Sequence, residues 1–446
     1  MKFFRNVATT LMARSSALVF ILIASILVAR GLQPEGKGVY ASLRASAELA
    51  AALTALGMGN ALVYYVSKSQ LDKRKLLGTA LTLYTGAGIL ATILVTGLVL
   101  FVEDSSTLVQ GWSPALVAAL CFPCITLFTE CFEGYLRGQH KITLLNIGYT
   151  SRTVSYVIIL LVAMFLDVLT LDVALVGLAF SSLVPTIVYV PTLIQDGVRT
   201  LLPRFHLDTA KALLSYGVGF QIFSSLQKLS YRLDLLIITY FLTEADVGYY
   251  SMSVNTGQLT WHFPIAISFV LLPMLASSSE SKQSLEQTAM VARGTVVLMV
   301  VSVGAMGVCA QWLIPLLYGP EYLPAVVPLL LLLPGMVSGG LSHILNDYLL
   351  VQRRQLQLIG ISSAGLIITT TLNLMIIPVY GINGAAVVSS IGATFVALLT
   401  VLYVARKERV SIAALILINQ ADITQWSSTL WKAFTSARMR FNSLRS

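Results

Sequence analysis

The sequence has few charged residues for its length. Of its 446 residues, 11% are charged and 56% are hydrophobic. A water-soluble protein of this size needs many more charged side chains to cover its surface. The shortage argues against a soluble fold and predicts a chain whose solvent is lipid.

Cysteine is also scarce, and the four cysteines all lie in apolar runs. Cys121 and Cys124 enclose Pro123 at the depth of a membrane core, where small packing side chains are a simpler interpretation than a metal or redox site. No Gly-rich phosphate loop of the Walker type is present, which argues against ATP hydrolysis by this chain. The first apolar run passes directly into Arg30 and a polar turn without a cleavage site, so it is predicted to be a retained span.

Apolar runs of about twenty residues, the length that crosses a bilayer as a helix, recur along the whole chain. Twelve of them are bounded by charged residues, Gly or Pro. They lie near residues 9–29, 39–66, 78–102, 114–136, 142–166, 173–195, 212–242, 248–275, 289–317, 325–351, 357–378 and 383–405. The sequence therefore predicts an all-α membrane protein with twelve transmembrane helices.

Lys and Arg are concentrated in one set of alternate loops, which the positive-inside rule assigns to the cytoplasm. The opposite loops hold only Arg30 and Lys37, beside several acidic residues that include Glu103 and Asp104. Both termini are therefore predicted to be cytoplasmic. A net charge of +9 distributed in this way indicates contact with anionic lipid and no nucleic-acid partner.

The segment after the last run is basic and amphipathic. Residues 411–418 are apolar but too few to cross a bilayer. Apolar residues then recur at helical spacing beside basic ones, at Ile423, Trp426, Leu430, Trp431, Lys432, Phe434, Arg438, Arg440 and Arg445. The pattern fits a helix on an anionic leaflet, and a solvated tail stays open as the alternative.

Three short matches indicate an internal repeat with an offset near 210 residues. LQPEGKGVY at 32–40 matches LTEADVGYY at 242–250, YLRGQHK at 135–141 matches YLLVQRR at 348–354, and Gly177-Leu-Ala matches Gly384-Ala-Ala. The repeat predicts two parallel six-helix bundles related by an axis along the membrane normal. Their predicted bounds are 1–195 and 212–405, with a cytoplasmic linker at 196–211 and the basic tail at 406–446.

Four longer stretches carry a family resemblance: ARGLQPEGKGVYAS at 29–42, RLDLLIITYFLTEADVGYYS at 232–251, LLYGPEYLPAVVPLLLLLPG at 316–335 and LNLMIIPVYGINGAAV at 372–387. They resemble motifs of the polysaccharide-transporter (Wzx-like) branch of the multidrug/oligosaccharidyl-lipid/polysaccharide (MOP) exporter superfamily. The resemblance runs from the first span to about residue 405. It departs at Gln33, where the family usually has Gly, and an altered turn is expected there.

The resemblance implies a V-shaped, MATE-like transporter of the bacterial inner membrane that works by alternating access. The implied substrate is an oligosaccharide on an undecaprenyl-pyrophosphate type of carrier, destined for O-antigen, capsule or exopolysaccharide. A polysaccharide polymerase and export proteins would be further partners. The implied protein is a flippase and not an enzyme, and it needs no cofactor, while a coupling ion, H⁺ or Na⁺, stays open.

Charges inside the predicted spans mark candidate sites, because a charge in the bilayer core is unfavourable unless it faces water or a partner. Lys228 and Arg232 lie four residues apart on one face of span seven, and their mutual repulsion indicates an anion beside them. Asp234 lies on another face of this helix and is not their obvious partner. Pairing with an acid on a different helix is the alternative to a substrate anion.

Five further charges lie within spans. Arg152 on span five has hydroxyl neighbours, which suits a water-filled cavity, and a structural ion pair is the alternative. Arg44 and Glu48 on span two form an i, i+4 pair that would neutralise itself. Arg14, near the cytoplasmic end of span one, fits a head-group contact. Asp347 is predicted to be solvated near the cytoplasmic surface.

The leading hypothesis is a cavity in which Arg44, Arg152, Lys228 and Arg232 bind pyrophosphate and acidic sugars. Glu48, Asp234 and Arg14 are then residues with coupling or structural roles, and no metal site is predicted. A multidrug exporter of the same superfamily would need an acidic cavity for lipophilic cations, so the basic excess argues against it. A membrane-embedded polymerase or glycosyltransferase would need a large loop, and no loop between spans is long.

Overall fold

The computed structural model describes residues 2–68, 72–102, 113–195, 203–277, 281–419 and 422. Within them the chain is all-α and has no strand, which confirms the predicted class. The α-helices in chain order are α1 (Lys2–Thr54), α2 (Met58–Lys68), α3 (Lys73–Val102), α4 (Pro114–Gly138), α5 (Ile142–Phe165), α6 (Leu171–Gln195), α7 (Leu207–Phe241), α8 (Glu244–Gln258), α9 (His262–Ser277), α10 (Ser281–Tyr318), α11 (Val326–Val351), α12 (Gln355–Glu408) and α13 (Ile412–Ile416). Two 3₁₀ turns lie at Leu259–Trp261 and Pro320–Ala325.

Helices α1 and α12 are each far longer than one crossing. They have 53 and 54 residues, about 80 Å of helix against a hydrocarbon core of about 30 Å. One residue with a positive φ interrupts each of them, Gln33 with φ 57° and Gly381 with φ 59°. Each long helix therefore contains two crossings that meet at a tight bend.

Gln33 occupies the left-handed backbone region that favours glycine. This conformation explains why glycine is the usual residue at its position in the family that the sequence resembles. The Gln33 side chain donates a hydrogen bond from Nε2 to the carbonyl of Arg30 at 3.1 Å. A local side-chain contact thus supports a turn that glycine would make without strain.

Eight helices in the described part of the chain are long and apolar enough to cross a membrane. α1 and α12 are among them and supply two crossings each. α7 adds another with its 35 residues, although it is less apolar. α8 and α9, with 15 and 16 residues, form one crossing broken by the Leu259–Trp261 turn, and α2 extends the second crossing. These segments make up the twelve predicted crossings, six on each side of residues 196–202.

Two of the matched strings form turns with the same backbone geometry, one between α4 and α5 and the other between α11 and α12. In each, three consecutive N–H groups donate to carbonyls four, three and five residues earlier. The middle residue has a positive φ in both turns, 58° at His140 and 56° at Arg353. The matched strings YLRGQHK and YLLVQRR therefore fold into the same turn.

Two glycines allow the start of the second crossing and the start of α8 to touch on the side predicted to be external. A Cβ atom on Gly38 would overlap the carbonyl group of Glu244. A Cβ atom on Gly248 would overlap the carbonyl group of Pro34. Each half of the chain thus contributes one glycine to a backbone contact that closes this side of the molecule.

A second contact joins the halves on the same side. Arg30, counted from sequence as an external basic residue, donates from its guanidinium to the carbonyls of Leu316 and Leu317 at 2.6 and 2.9 Å. The Tyr322 hydroxyl donates to the carbonyl of Ala29 at 2.9 Å. These bonds tie the end of the first crossing to the outer end of α10 and the turn that follows it.

Another pair of glycines brings the two halves into close contact. Gly57, with φ 69°, lies at the break between α1 and α2, and its carbonyl is in contact with Gly217 of α7. Side chains at both positions would overlap the opposite backbone. The two glycines are therefore points of close helix packing.

The chain after α12 folds back onto α10. Leu415 of α13 is buried. Arg293 donates to the Asp422 carboxylate from Nε and NH2 at 2.6 and 2.7 Å, and it also donates to the carbonyl of Ala414. The apolar segment 411–418 thus packs as a short helix, while the tail predicted to be amphipathic from residue 423 lies outside the described residues.

Three sequence-based expectations need adjustment or fall outside the described chain. Asp347 was expected to be solvated, but it is only 6% exposed because α9 packs along α11 at this level. The segment 196–211, expected to be a linker, is already helical from Leu207. Glu103 and Asp104 lie outside the described residues.

Candidate functional site

The two halves enclose a cavity of about 680 Å³. Helices α1, α4, α5 and α6 line it from the first half, and α7, the Leu259–Trp261 turn and α9 line it from the second. We call this space the central cavity. Because it lies between the halves, a ligand in it would contact both of them.

The four basic residues that the sequence assigned to substrate all line the central cavity. Arg44 comes from the second crossing, Arg152 from α5, and Lys228 and Arg232 from α7. These residues are distant in sequence, and the fold places them around one space. Glu48, the acidic neighbour predicted for Arg44, lines the cavity as well.

Glu48 joins the two halves through its carboxylate. Its Oε1 accepts a hydrogen bond from Arg44 Nε at 2.7 Å, which is the i, i+4 pair predicted from sequence. Its Oε2 lies 3.0 Å from NH2 of Arg232 on α7. Arg232 therefore has an acid on another helix as its partner, which is the alternative that sequence reasoning left open.

Lys37 is a cavity residue that sequence reasoning missed. It was counted in an external loop, yet it is 4% exposed and lines the central cavity. Its ammonium lies 4.7 Å from the centre of the Tyr40 ring, a cation–π contact. The spacing of residues 37, 44 and 48 places Lys37, Arg44 and Glu48 on one face of a helix, and this periodicity is the signal that could have identified it.

Basic side chains outnumber acidic ones around the central cavity. In the described part of the chain its charged lining consists of Lys37, Arg44, Arg152, Lys228, Arg232, Glu48 and Glu130. Neither Lys37 nor Arg152 has an ion pair among the described residues. Lys228 is exposed to the cavity and interacts electrostatically with Glu130 of α4. Five cations against two carboxylates create a field that attracts anions.

The hydroxyl groups beside Arg152 contribute less than the sequence suggested. Thr153 lines the central cavity, but its hydroxyl and those of Ser151 and Ser155 donate to backbone carbonyls of their own helix. The polar character of this wall therefore comes mainly from the Arg152 guanidinium.

Asp234 lies behind the cavity wall, inside the second half. Its Oδ2 accepts hydrogen bonds from the Tyr250 hydroxyl at 2.5 Å and from Ser389 Oγ at 3.1 Å. It is buried and does not line the central cavity. Asp234 forms no ion pair with Arg232 among the described residues, although the two interact electrostatically and line a smaller pocket together with Lys37 and Arg44.

Arg14 also lies apart from the charged lining. Its guanidinium is 5.8 Å from the centre of the Tyr149 ring. Tyr149 does line the central cavity, so Arg14 touches the wall from outside. This contact fits a structural role for Arg14 beside the cavity.

An aromatic pair lines the cavity on the second half. The rings of Tyr231 and Trp261 meet edge to face with centroids 4.8 Å apart. Trp261 Nε1 donates to the carbonyl of Met336 at 3.2 Å, which fixes the indole at the break between α8 and α9. His262 lines the cavity beside them. The described residues contain no group of His, Cys, Asp and Glu side chains that could hold a metal ion.

Residues 27–327 match the family described as Polysaccharide biosynthesis protein. This region covers about two thirds of the chain and includes every residue of the charged cavity lining. No curated relative matches the chain in sequence.

Solved structures similar to this chain have low sequence identity and high coverage. An inward-facing multidrug resistance MATE family transporter of the MOP superfamily superimposes with a TM-score of 0.76 and 13% identity, over 90% of this chain and 95% of that one. The lipid II flippase MurJ in an inward closed conformation superimposes with a TM-score of 0.74 and 12% identity, over 91% of this chain and 88% of that one. An outward-facing MATE family transporter superimposes with a TM-score of 0.63 and 13% identity, over 92% of this chain and 95% of that one.

The overall shape is thus more similar to the inward-facing MATE structure than to the outward-facing one, in agreement with the glycine contact on the side predicted to be external. At these identities the likeness establishes the fold. The chain is a multi-pass membrane protein that belongs to the Polysaccharide biosynthesis protein family and has the all-α fold of MOP-superfamily transporters.

Proposed function

We propose that this protein is a flippase that carries a lipid-linked anionic oligosaccharide across the inner membrane by alternating access. The observation that carries the proposal is the charge of the central cavity, with five basic and two acidic side chains in its described lining. A pyrophosphate-linked sugar is an anion of high charge, and burial beneath basic side chains from both halves would stabilise it. The lipid chain of such a substrate stays in the bilayer while its head group crosses.

The family supports the same proposal independently of the charges. The family that the chain matches is described as Polysaccharide biosynthesis protein, and one similar structure is that of a lipid II flippase. Polymers assembled from lipid-linked units need a protein that moves these units across the membrane. The proposed location is the inner membrane with both termini in the cytoplasm, and a polysaccharide polymerase would act on the exported units.

A multidrug exporter is the second candidate, because a MATE family transporter has the same fold. A lipophilic cation needs acidic or neutral aromatic surroundings, and the Tyr231–Trp261 pair would provide an aromatic wall. The five cations of the cavity would repel such a ligand. The charge of the site therefore favours the anionic substrate.

The functional test removes the cavity cations one at a time. Arg152→Ala, Lys228→Ala and Arg232→Ala should leave the protein in the membrane but cause lipid-linked precursor to accumulate on the cytoplasmic leaflet. Replacement by Glu should be worse, because charge reversal adds repulsion to the lost attraction; roughly tenfold lower export corresponds to about 1.4 kcal/mol. Arg406→Ala, exposed at the end of α12, is the matched control and should export normally. Normal export by all three cavity variants would contradict the proposal.

The proposed orientation has its own test. Reporter fusions after residues 104, 170 and 245 should report the outer side, and fusions after residues 72, 204 and 354 should report the cytoplasm. The reverse pattern would show that the glycine contact lies on the cytoplasmic side.

A further inference from the structure

Glu48 has an unusual position among the charged residues of the cavity. One carboxylate oxygen is bound by Arg44 of the first half at 2.7 Å and the other by Arg232 of the second half at 3.0 Å. Two guanidinium groups around one oxyanion is the arrangement that proteins use to bind a phosphate or carboxylate ligand. We infer that Glu48 is an internal substitute for the substrate anion, and that an incoming diphosphate displaces it from Arg44 and Arg232.

The exposure of the three side chains makes this exchange accessible. Arg44 is 40% exposed, and Glu48 and Arg232 are each 28% exposed. All three line the central cavity, so a ligand there reaches the arginines without unfolding the wall. Ion pairs with this degree of exposure are weak. A diphosphate has more negative charge than one carboxylate and would compete successfully for the same donors.

The basic neighbours of the pair favour the ligand over Glu48. Lys37 and Arg152 have no ion pair among the described residues, and both interact electrostatically with Arg44. One carboxylate cannot neutralise this group. A diphosphate placed between Arg44 and Arg232 would be attracted by both free cations as well as by the arginines.

The exchange would have a structural consequence because Glu48 belongs to one half and Arg232 to the other. While Glu48 holds Arg232, α7 is tied to the second crossing. A diphosphate is longer than one carboxylate and can contact both arginines when they lie farther apart, so displacement of Glu48 loosens this tie. Substrate binding would thereby favour separation of the outer hairpins, which touch at Gly38 and Gly248 in this structure. This inference rests on the proposed function and adds how the same site starts the transport step.

Glu48→Gln provides the first test, measured by calorimetry on the purified full-length protein with inorganic diphosphate as the probe. The amide keeps the size of the side chain but removes the competing charge. We expect diphosphate to bind roughly threefold to tenfold more tightly to E48Q than to the wild type, the range that loss of a weak ion pair allows. Glu130→Gln removes the other cavity carboxylate without touching the tie between halves, so the gain of affinity that it gives measures the effect of cavity charge alone, and E48Q should exceed it.

The second readout follows the outer contact. Single cysteines at Glu35 and Ala245, in a background without the four native cysteines, report by oxidative cross-linking whether the hairpins touch. Diphosphate should slow cross-linking in the wild type and in E130Q. In E48Q cross-linking should be slow already, and diphosphate should change it little.

The outcomes separate this inference from the proposed function. Absence of diphosphate binding in the wild type and both variants would overturn the proposed function and the inference with it. Binding in the wild type with no gain of affinity in E48Q beyond that of E130Q, or an unchanged cross-linking response in E48Q, would overturn the inference alone. If E48Q does not fold, Glu48→Asp replaces it, since the shorter side chain cannot contact both arginines and should give the same slow cross-linking.

Discussion

The two halves of the molecule share a backbone plan but not a distribution of charge. The turns before α5 and α12 have the same hydrogen bonds, and each half contributes one glycine to the outer contact. The first half, however, places Lys37, Arg44 and Arg152 around the central cavity. The internal cavity of the second half, about 120 Å³, is lined in its described part by apolar side chains, hydroxyl and amide groups, His343 and the carboxylate of Asp234, with no Lys or Arg.

The comparison shows which features of a duplicated fold set its shape and which set its chemistry. Glycines and turn residues recur in both halves because both must bend and touch in the same way. On the proposed function, the charges differ because only the wall that faces the substrate needs them. α7 is the exception in the second half, since Lys228 and Arg232 bring basic groups to the central cavity opposite Arg44.

The largest expected effect comes from the feature that the halves share. Gly38→Val and Gly248→Val would each force a side chain into the backbone of the other half, and overpacking typically costs about 1–3 kcal/mol, a population shift of roughly 5–150-fold. Both variants should lose cross-linking between cysteines at Glu35 and Ala245 and should lose export to the same extent. Gly360→Val, at a glycine with open space around it, is the control. Normal cross-linking in either variant would show that the contact between the halves does not need the glycine at that position.

A smaller effect should separate the chemistry of the halves. Asp234→Asn removes the charged acceptor of the Tyr250 and Ser389 hydroxyl groups, so we expect a loss of about 1–3 kcal/mol of stability, seen as a lower melting temperature. Asp234 does not line the central cavity and its hydrogen bonds go to Tyr250 and Ser389, so loss of its negative charge beside Arg232 should not weaken diphosphate binding. Strongly weakened diphosphate binding would instead place the acid of the second half in the substrate site.

The smallest effect concerns the contact of Asp422 with α10 in the second half. Hydrogen bonds from Arg293 hold the pKa of the Asp422 carboxyl below its ordinary value of 3.8. A carboxyl group with a lowered pKa stabilises the folded state at pH values above its ordinary pKa. This contribution is lost as the pH falls through the lowered pKa. Arg293→Gln should therefore reduce the melting temperature slightly at pH 7, and its difference from the wild type should shrink below about pH 4. A constant difference across this range would contradict the ion pair.

Much of the fold and part of the site follow from the sequence in physical terms. A helix that crosses a bilayer requires a run of about twenty apolar residues, so the crossings could be counted from the sequence alone. Arg44, Arg152, Lys228 and Arg232 were found because a charge within such a run needs a cavity or a partner. The fold does bring these four residues to one space.

The remaining features depend on contacts between distant segments. The pairing of Glu48 with Arg232 joins the two halves and has no local signature. Lys37 was missed because a hairpin residue was assumed to face water, whereas α8 covers this hairpin through the contact of Gly38 and Gly248. Asp347 was wrongly expected to be solvated, because depth along a helix does not show which neighbour covers it.

The most direct test of the central claim is the ligand preference of the purified wild-type protein. Binding of farnesyl diphosphate and of the lipophilic cation tetraphenylphosphonium should be measured under identical conditions, with uncharged farnesol as the control for the lipid chain. The cationic cavity predicts that farnesyl diphosphate binds at least roughly tenfold more tightly than either of the others, equivalent to about 1.4 kcal/mol. Tighter binding of tetraphenylphosphonium than of farnesyl diphosphate would contradict the account.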